Sequence, residues 1–213
     1  MKSALLVFAS LVCSVNGRLG LDAILPITTP MFECLKNSSY EFYVARVFRS
    51  NGLIDNTGIA NIINARLAGL DADAYLFPCF SASCGNGTDQ VTKSVNAIRS
   101  AGAQIDTLWL DIERFAWSND TASNRAFIKD MIVAADELGV AAGIYTYPPF
   151  WAQIVGDWIG GSHLPLWWLY WDHLENMDAF VPFGGWTAPT IKQISGDVAG
   201  TCGVSNIDKN YML

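Results

Sequence analysis

The residues best suited to chemistry in this sequence are two acids in one apolar stretch. Residues 108–113 have the sequence Leu-Trp-Leu-Asp-Ile-Glu, whose composition and length are typical of a buried β-strand. Side chains alternate along a strand, so Trp109, Asp111 and Glu113 share one face, with the Cα atoms of the two acids about 6.6 Å apart. An unpaired buried carboxylate costs free energy, so this pair indicates a functional site.

Three interpretations of Asp111 and Glu113 are open at this point. In glycoside hydrolysis one carboxyl protonates the leaving oxygen, while a second carboxylate or a substrate group assists at the anomeric carbon. Burial and a neighbouring like charge both raise a carboxyl pKa, which favours Glu113 as the proton donor, although the two acids titrate as one coupled pair. The alternatives are ligands for magnesium or calcium, and partners in structural ion pairs.

Other kinds of active site find little support in the sequence. The two histidines, His163 and His173, lie late in the chain and outside any metal-ligand spacing. There is no G-x-S-x-G stretch of a serine hydrolase and no glycine-rich phosphate loop. We therefore expect neither a cofactor nor a bound metal.

The chain around the acidic strand alternates between strand and helix patterns. Five strand–helix units are followed by three strands, which predicts an α/β fold: a single-domain, irregular (β/α)5(β)3 TIM-like barrel. The expected strands are residues 20–24, 43–48, 74–77, 108–113, 141–145, 166–171, 190–195 and 205–211. Active sites of such barrels lie at the carboxyl ends of the strands, where Asp22, Asp111 and Glu113 are expected.

Polar residues and prolines mark where the helices begin and where strands stop. Asn56 or Thr57 is predicted to cap the helix after the second strand, and Thr88 the helix after the third. Pro26 and Pro30 are expected to interrupt the chain after the first strand.

The amino terminus has the pattern of a secretory signal peptide. Lys2 precedes an apolar run over residues 4–12, and cleavage after Gly17 is plausible. This divides the chain into a signal peptide, residues 1–17, and a catalytic domain, residues 18–213. The apolar run is too short to span a bilayer. The mature protein is therefore expected to be secreted or delivered to a lysosomal or phagosomal compartment.

The cysteines agree with an oxidising compartment. Removal of the signal peptide takes away Cys13 and leaves Cys34, Cys79, Cys84 and Cys202, which allow three pairings. In the predicted barrel the last strands adjoin the first, so we expect Cys34–Cys202 to tie the two ends together and Cys79–Cys84 to close one loop. Three N-x-S/T sequons are predicted glycosylation sites: Asn37, Asn86 and Asn119.

The charge of the chain restricts its partners. The net charge of −7 becomes −8 when Lys2 is removed, and no basic cluster occurs. We expect no binding to nucleic acid or to anionic membrane, and a monomeric protein. A polyanionic substrate would have to be held by contacts in the cleft, or at a pH low enough to reduce the acidic charge.

Many aromatic residues lie near predicted strand ends and loops. They are Trp109, Trp117, Tyr145, Tyr147, Trp151, Trp167, Trp168, Trp171 and Trp186. Sugar rings present flat apolar faces that pack on aromatic rings. The group as a whole favours a carbohydrate cleft.

Over its whole mature length the chain resembles the family 25 glycoside hydrolases, the Chalaropsis-type lysozymes, and in particular their short secreted protist and nematode branch. The motifs that carry the resemblance are Gly20-Leu21-Asp22, Ala74-Tyr75-Leu76-Phe77, Leu110-Asp111-Ile112-Glu113, Gly143-Ile144-Tyr145-Thr146, Pro165-Leu166-Trp167, Ile191-Lys192-Gln193 and Ile207-Asp208-Lys209-Asn210. The D-x-E pair gains specificity from the aspartates near the two ends of the domain.

The resemblance implies hydrolysis of the β-1,4 bond between N-acetylmuramic acid and N-acetylglucosamine in bacterial peptidoglycan, for defence or for digestion of bacteria. It implies that Glu113 is the general acid and that Asp111 assists, either as a nucleophile or by orienting the substrate's N-acetyl group. It further implies a cleft with two more acids and an aromatic wall: Asp22, Asp208, Tyr75, Tyr145 and, where the family usually has tyrosine, Trp171. A chitin-cleaving enzyme and a catalytically silent lectin are the alternatives.

Overall fold

The computed structural model of this chain describes residues 17–113 and 116–213. Eight strands follow one another around a closed barrel. The strands are β1 (Arg18–Ala23), β2 (Tyr40–Phe48), β3 (Asp71–Leu76), β4 (Thr107–Asp111), β5 (Ala141–Thr146), β6 (Leu166–Leu169), β7 (Ile191–Ala199) and β8 (Asn206–Met212). The helices are α1 (Thr29–Asn37), α2 (Asn56–Leu67), α3 (Gly87–Ser100), α4 (Thr121–Glu137) and α5 (Pro148–Val155).

The direction of the strands confirms the predicted (β/α)5(β)3 architecture. Strands β1 to β7 pair in parallel, and a helix follows each of the first five. Strand β8 runs antiparallel to both of its neighbours, β7 and β1, and closes the barrel. Because of this reversal, the amino-terminal half of β8 reaches the same rim as the carboxyl ends of the other strands.

Two apolar cores lie on the two sides of the barrel wall. Leu108, Leu110 and Ile112 belong to the outer core, between strands and helices. Trp109 belongs to the inner core, as the alternation along β4 predicts. The inner core is formed by Phe42, Val44, Trp109, Tyr145, Trp167 and Ile191. Bulky side chains fill the interior, so ligands can approach only at its two mouths.

Local details differ from the sequence prediction at several element boundaries. Pro30, expected to interrupt the chain, lies in the first turn of α1, where a missing N–H is no loss. Strand β4 ends at Asp111, two residues earlier than predicted, and β6 ends at Leu169. Glu113 therefore follows the strand end and can reach towards solvent.

The predicted helix caps are also wrong by one or two residues. Asp55, not Asn56 or Thr57, is the N-cap residue of α2, and its carboxylate forms ion pairs with two arginine side chains instead of capping. Asn86, not Thr88, caps α3 in a capping box. Each true cap lies just before the predicted one, within the uncertainty of boundaries judged from sequence.

Both predicted disulfides are formed. Cys34 at the end of α1 is bonded to Cys202 in the turn before β8, with Cα atoms 5.7 Å apart. Cys79 and Cys84 close the loop after β3, with Cα atoms 6.0 Å apart. The first bond joins the two ends of the domain across the barrel closure.

Several predictions on targeting and modification stay predictions. The signal peptide, residues 1–17, lies outside the described residues except for Gly17. Asn37, Asn86 and Asn119 are all exposed. No helix in the described part of the chain is long and apolar enough to cross a membrane.

Candidate active site

Four acids predicted from the sequence meet at one rim of the barrel. Asp22 lies near the carboxyl end of β1, and its register partner on the antiparallel β8 is Asp208. Asp111 ends β4, and Glu113 follows two residues later. The fold thus brings together residues almost two hundred positions apart in the chain.

Asp111 is deeply buried, and one of its carboxyl oxygens lacks a hydrogen-bond partner in the described part of the chain. Only 4% of its surface is exposed, and among the described residues its Oδ1 has no hydrogen-bond partner. Burial, followed by the charges of Glu113 and Asp22, raises the pKa of Asp111 well above its usual value. Burial favours the protonated form of such a carboxyl, and a hydrogen bond from a polar group of a ligand would stabilise it strongly.

Asp22 and Asp208 are joined by one amide group. Nε2 of Gln193 donates to Oδ1 of Asp22 at 3.0 Å and to Oδ2 of Asp208 at 3.1 Å. Nδ2 of Asn210 donates a further hydrogen bond to Asp22 at 2.8 Å. Burial raises the pKa of both acids, and the charge of Asp208 raises that of Asp22 further. The amides hold the two acids side by side in spite of their like charge.

Gln193 is the connecting residue of the site. Its Oε1 accepts hydrogen bonds from the hydroxyl of Tyr145 at 2.9 Å and from the indole N–H of Trp171 at 3.0 Å. An indole N–H can only donate, so the amide oxygen must face Trp171 and the NH2 group must face the acids. The orientation of Gln193 is therefore determined by its neighbours.

An open cleft of about 570 Å³ lies above these acids. Its described lining residues are Glu113, Tyr145, Tyr147, Phe150, Leu169, Tyr170, Trp171, Gln193 and Asp208. The Trp171 side chain is 52% exposed, which leaves much of its ring available to a ligand. Two carboxyl groups, those of Glu113 and Asp208, and a set of aromatic rings thus face the same space.

The predicted site residues divide between this lining and the layer beneath it. Glu113, Asp208, Tyr145 and Trp171 line the cleft, whereas Asp22 and Asp111 are buried below it. Tyr75 lies in the barrel interior, with its ring 6.2 Å from the ring of Trp167, so its place in the substrate wall stays a prediction.

Sequence reasoning missed several residues of the site. Gln193 was recognised only within a motif, and Asn210 likewise, although each is a polar residue at an inward-facing strand position. Both amides form buried hydrogen bonds to Asp22, and this inward polar pattern was the available signal. Phe150 and Tyr170 were not singled out because nothing in their local sequence distinguishes them from core aromatics.

The described residues offer no group of three or more His, Cys, Asp or Glu side chains able to hold a metal ion. The acids are held by amide and backbone N–H donors, since Oδ1 of Asp208 also accepts from the backbone N–H of Asp197 at 2.7 Å. Chemically, the arrangement combines acids at the cleft surface with buried acids whose pKa values are raised. Such a site can transfer a proton to a bound sugar and stabilise a developing positive charge.

Comparison with known proteins agrees with this geometry. A family model described as Lysozyme-like protein 1 matches residues 14–194. Lysozyme-like protein 5 of Caenorhabditis elegans is 44% identical over 98% of this chain and 96% of its own length. A Dictyostelium discoideum protein named "Probable GH family 25 lysozyme 4" is 37% identical over 94% of this chain and 93% of its own.

A solved structure supports the same fold. The family GH25 lysozyme from Aspergillus fumigatus superimposes with a TM-score of 0.74 at 18% identity, covering 93% of this chain and 94% of that one. At this identity the likeness concerns the fold, while the relatives above establish the family. The chain belongs to family 25 of the glycoside hydrolases, within its lysozyme-like group.

Proposed function

We propose that this glycoside hydrolase is a lysozyme, an N-acetylmuramidase that cleaves the β-1,4 bond between N-acetylmuramic acid and N-acetylglucosamine in bacterial peptidoglycan. The observation that carries the proposal is the position of Glu113 in an aromatic-lined cleft, close enough to the buried Asp111 for its charge to act on that residue. The lysozyme names of the relatives support the same substrate class.

In this proposal Glu113 is the general acid. It lies at the cleft surface, where it can protonate the oxygen of the leaving sugar. The aromatic residues of the cleft, including Tyr145 and Trp171, would hold sugar rings by their apolar faces. Asp22 and Asp208 would keep the floor of the cleft acidic and favour the positively charged transition state.

Asp111 would act on the substrate's N-acetyl group. Its buried Oδ1, without a hydrogen-bond partner among the described residues, is well suited to accept from the amide N–H of that group. The oriented acetyl oxygen can then attack the anomeric carbon. Glycan whose muramic residues lack the acetyl group should not be cleaved, whereas unchanged cleavage would indicate that Asp111 itself is the nucleophile.

The proposed setting is an acidic compartment or secretion into the surroundings, for defence against bacteria or for their digestion. The pKa values of Asp22, Asp111 and Asp208 are all raised, so these acids lose negative charge as the pH falls. Lower charge reduces repulsion between this acidic protein and a polyanionic wall. Activity on whole walls at neutral pH should rise with moderate salt, which screens the repulsion.

The experiment compares wild type with Glu113→Gln on a peptidoglycan suspension from pH 3 to 8. Glu137→Gln, an exposed glutamate at the end of α4, is the matched control. Wild type and control should clear the suspension, and Glu113→Gln should not. The new reducing ends, labelled by borohydride reduction and identified by mass, should be N-acetylmuramic acid.

Each other outcome has a distinct meaning. Reducing ends of N-acetylglucosamine would show a different bond preference, and efficient cleavage of chitin oligomers would favour a chitinase. Binding to the wall without clearing at any pH would favour the lectin alternative. Equal clearing by wild type and Glu113→Gln would refute the role of Glu113.

A further inference from the structure

Lys192 is a fully buried lysine on the outer face of β7. Its neighbours Ile191 and Gln193 point into the barrel, so the alternation of the strand directs Lys192 outwards. Its register partner on β6 is Trp168, which belongs to the outer core. No α-helix follows β6 in this fully described region, and the connection from β6 to β7 packs here instead.

The ammonium group of Lys192 binds that connection at three points. Nζ donates to the carboxylate of Asp172 at 2.7 Å, to the carbonyl oxygen of Leu174 at 3.1 Å and to the carbonyl oxygen of Asn176 at 3.0 Å. An ammonium has three N–H donors, and all three are used. One side chain therefore fixes a five-residue stretch of the connection.

The same ammonium contacts an aromatic ring of the cleft. It lies 5.5 Å from the ring centroid of Trp168 and 5.6 Å from that of Tyr170. The two rings stack with centroids 4.6 Å apart and planes 11° apart. Tyr170 also lines the cleft, so Lys192, on the outer face of the barrel, contacts a residue that would face a bound substrate.

The energetic cost of this arrangement indicates a specific role. Removing an ammonium from water costs several kcal/mol, and replacing a buried ion pair by apolar side chains of similar volume is often neutral or stabilising. Stability of the outer core alone therefore does not require a lysine at position 192. What a methionine lacks is the ability to fix Asp172 and the two carbonyl groups in one geometry.

Trp171 lies between the parts that Lys192 holds. Its indole donates to Gln193 on the inner face of β7, while Asp172, the next residue, binds Lys192 on the outer face. The backbone N–H of Tyr170 donates to the carbonyl of Gln193 at 3.1 Å. The indole is thus bonded to the inner face of β7, and the residue that follows it in the chain is bonded to the outer face.

We propose that Lys192 is a positioning residue, which fixes Trp171 and Tyr170 as the sugar-binding wall of the cleft without touching the substrate. The sugar-binding part of this inference rests on the proposed function. Loss of Lys192 should weaken substrate binding more than it affects proton transfer at Glu113, because Gln193 keeps its hydrogen bond from Tyr145 and Asp22 keeps that from Asn210.

The first test is Lys192→Met, with kinetics on soluble peptidoglycan glycan chains. We expect KM to rise roughly tenfold while kcat changes less than about twofold. Lys93→Met is the matched control, since Lys93 also donates to a backbone carbonyl, that of Gly52, and lies over an aromatic ring, that of Phe48. In a Trp171→Ala background, Lys192→Met should raise KM much less than in wild type.

A readout independent of substrate is the indole ¹⁵N–¹H resonance of Trp171, assigned by its absence in Trp171→Phe. Lys192→Met should shift or broaden this resonance and leave that of Trp167, which donates to Asn210, in place. The proposed function fails if wild type releases no product, whereas the positioning role fails if the Trp171 resonance is unchanged. Equal shifts of both resonances would indicate general loosening and overturn the proposal.

Asp172→Asn provides a second variant in case Lys192→Met does not fold. It leaves the ammonium buried without its counter-charge, so both thermal stability and substrate affinity should fall. The double variant Lys192→Met/Asp172→Asn should regain stability and keep the raised KM. A KM equal to that of wild type in these variants, with only the melting temperature changed, would assign Lys192 a purely structural role.

Discussion

The indole N–H of Trp167 donates to the side-chain oxygen of Asn210 at 2.8 Å inside the barrel. Because an indole N–H only donates, this bond determines which end of the Asn210 amide faces Trp167. The other end, Nδ2, donates to Asp22 at 2.8 Å. A core aromatic residue thus orients a donor for one of the acids below the cleft.

Asn210→Asp should destabilise the protein in a pH-dependent manner. The substitution replaces a donor by a second carboxyl beside the buried Asp22, and both cannot be charged there. We expect a loss of roughly 3 kcal/mol at pH 7.5 and a clearly smaller loss at pH 4.5, measured by thermal or urea unfolding. Asn51→Asp, at an exposed asparagine, is the control, and equal losses at both pH values would contradict the argument.

Tyr145→Phe tests the orientation of Gln193. Without the phenol, Oε1 of Gln193 keeps only the indole of Trp171 as a donor, and its amide is less firmly held. We expect stability to fall by about 1 kcal/mol and kcat/KM by roughly fivefold, since Gln193 also holds Asp22 and Asp208. Tyr211→Phe, near the other end of β8 from Asp208, is the matched control. A larger effect in the control would mean that the loss is not specific to Gln193.

The sequence predicts the parts of this protein that follow a local pattern. Alternation along β4 gives the correct inward face, with Trp109 in the inner core and Leu108 and Leu110 in the outer one. The count of strand–helix units gives the barrel, and the barrel closure gives the Cys34–Cys202 bond. These inferences depend only on periodicity and on the order of elements.

The rest depends on partners that are distant in the chain. Gln193 binds Asp22 across 171 positions, and no local pattern indicates that bond. A lysine in a strand is ordinarily expected to be exposed, and the burial of Lys192 follows from the connection that packs over it. The cap of α2 was missed because Asp55 is committed to ion pairs with arginines rather than to the helix.

Acid should stabilise this protein down to about pH 5. Asp73, at the opposite mouth of the barrel, accepts from the indole of Trp109 at 2.8 Å and from the backbone N–H of Thr107 at 2.9 Å. Burial outweighs these bonds and raises the pKa of Asp73 to about 6. A carboxyl with a raised pKa binds its proton more tightly in the folded state. The contribution of Asp73 to the free energy of unfolding is therefore complete below the unfolded pKa of about 4 and is lost as the pH rises through 6.

The stabilisation that Asp55 provides depends on pH in the opposite direction. Burial alone would raise its pKa, but hydrogen bonds and charges of Arg49 and Arg46 lower it. The contribution of Asp55 to the free energy of unfolding is present above the unfolded pKa of about 4 and is lost as the pH falls below that value. Asp22, Asp111 and Asp208, whose pKa values are raised, act in the same direction as Asp73. We therefore expect the melting temperature to be highest near pH 5 and to decrease towards both pH 7.5 and pH 3.

Asp73→Asn should reduce the difference in stability between pH 5 and pH 7.5. The amide does not titrate, so a pH-dependent contribution of up to about 3 kcal/mol is removed. Urea unfolding of wild type and variant at the two pH values measures it, with Asp130→Asn, an exposed aspartate of α4, as control. An unchanged difference in the Asp73 variant would assign the pH dependence to Asp22, Asp111 and Asp208 instead.

The two disulfides should differ in their contribution to stability because they close loops of very different length. Cys34–Cys202 spans 168 positions and Cys79–Cys84 spans 5. In the chain-entropy model the first stabilises the folded state by about 5 kcal/mol and the second by about 2 kcal/mol. Replacing each pair by serines and measuring urea unfolding compares them directly. A larger loss for the Cys79–Cys84 pair would mean that its loop acts through contacts in the folded state, such as the packing of the neighbouring Phe80 on Trp117, rather than through the unfolded chain.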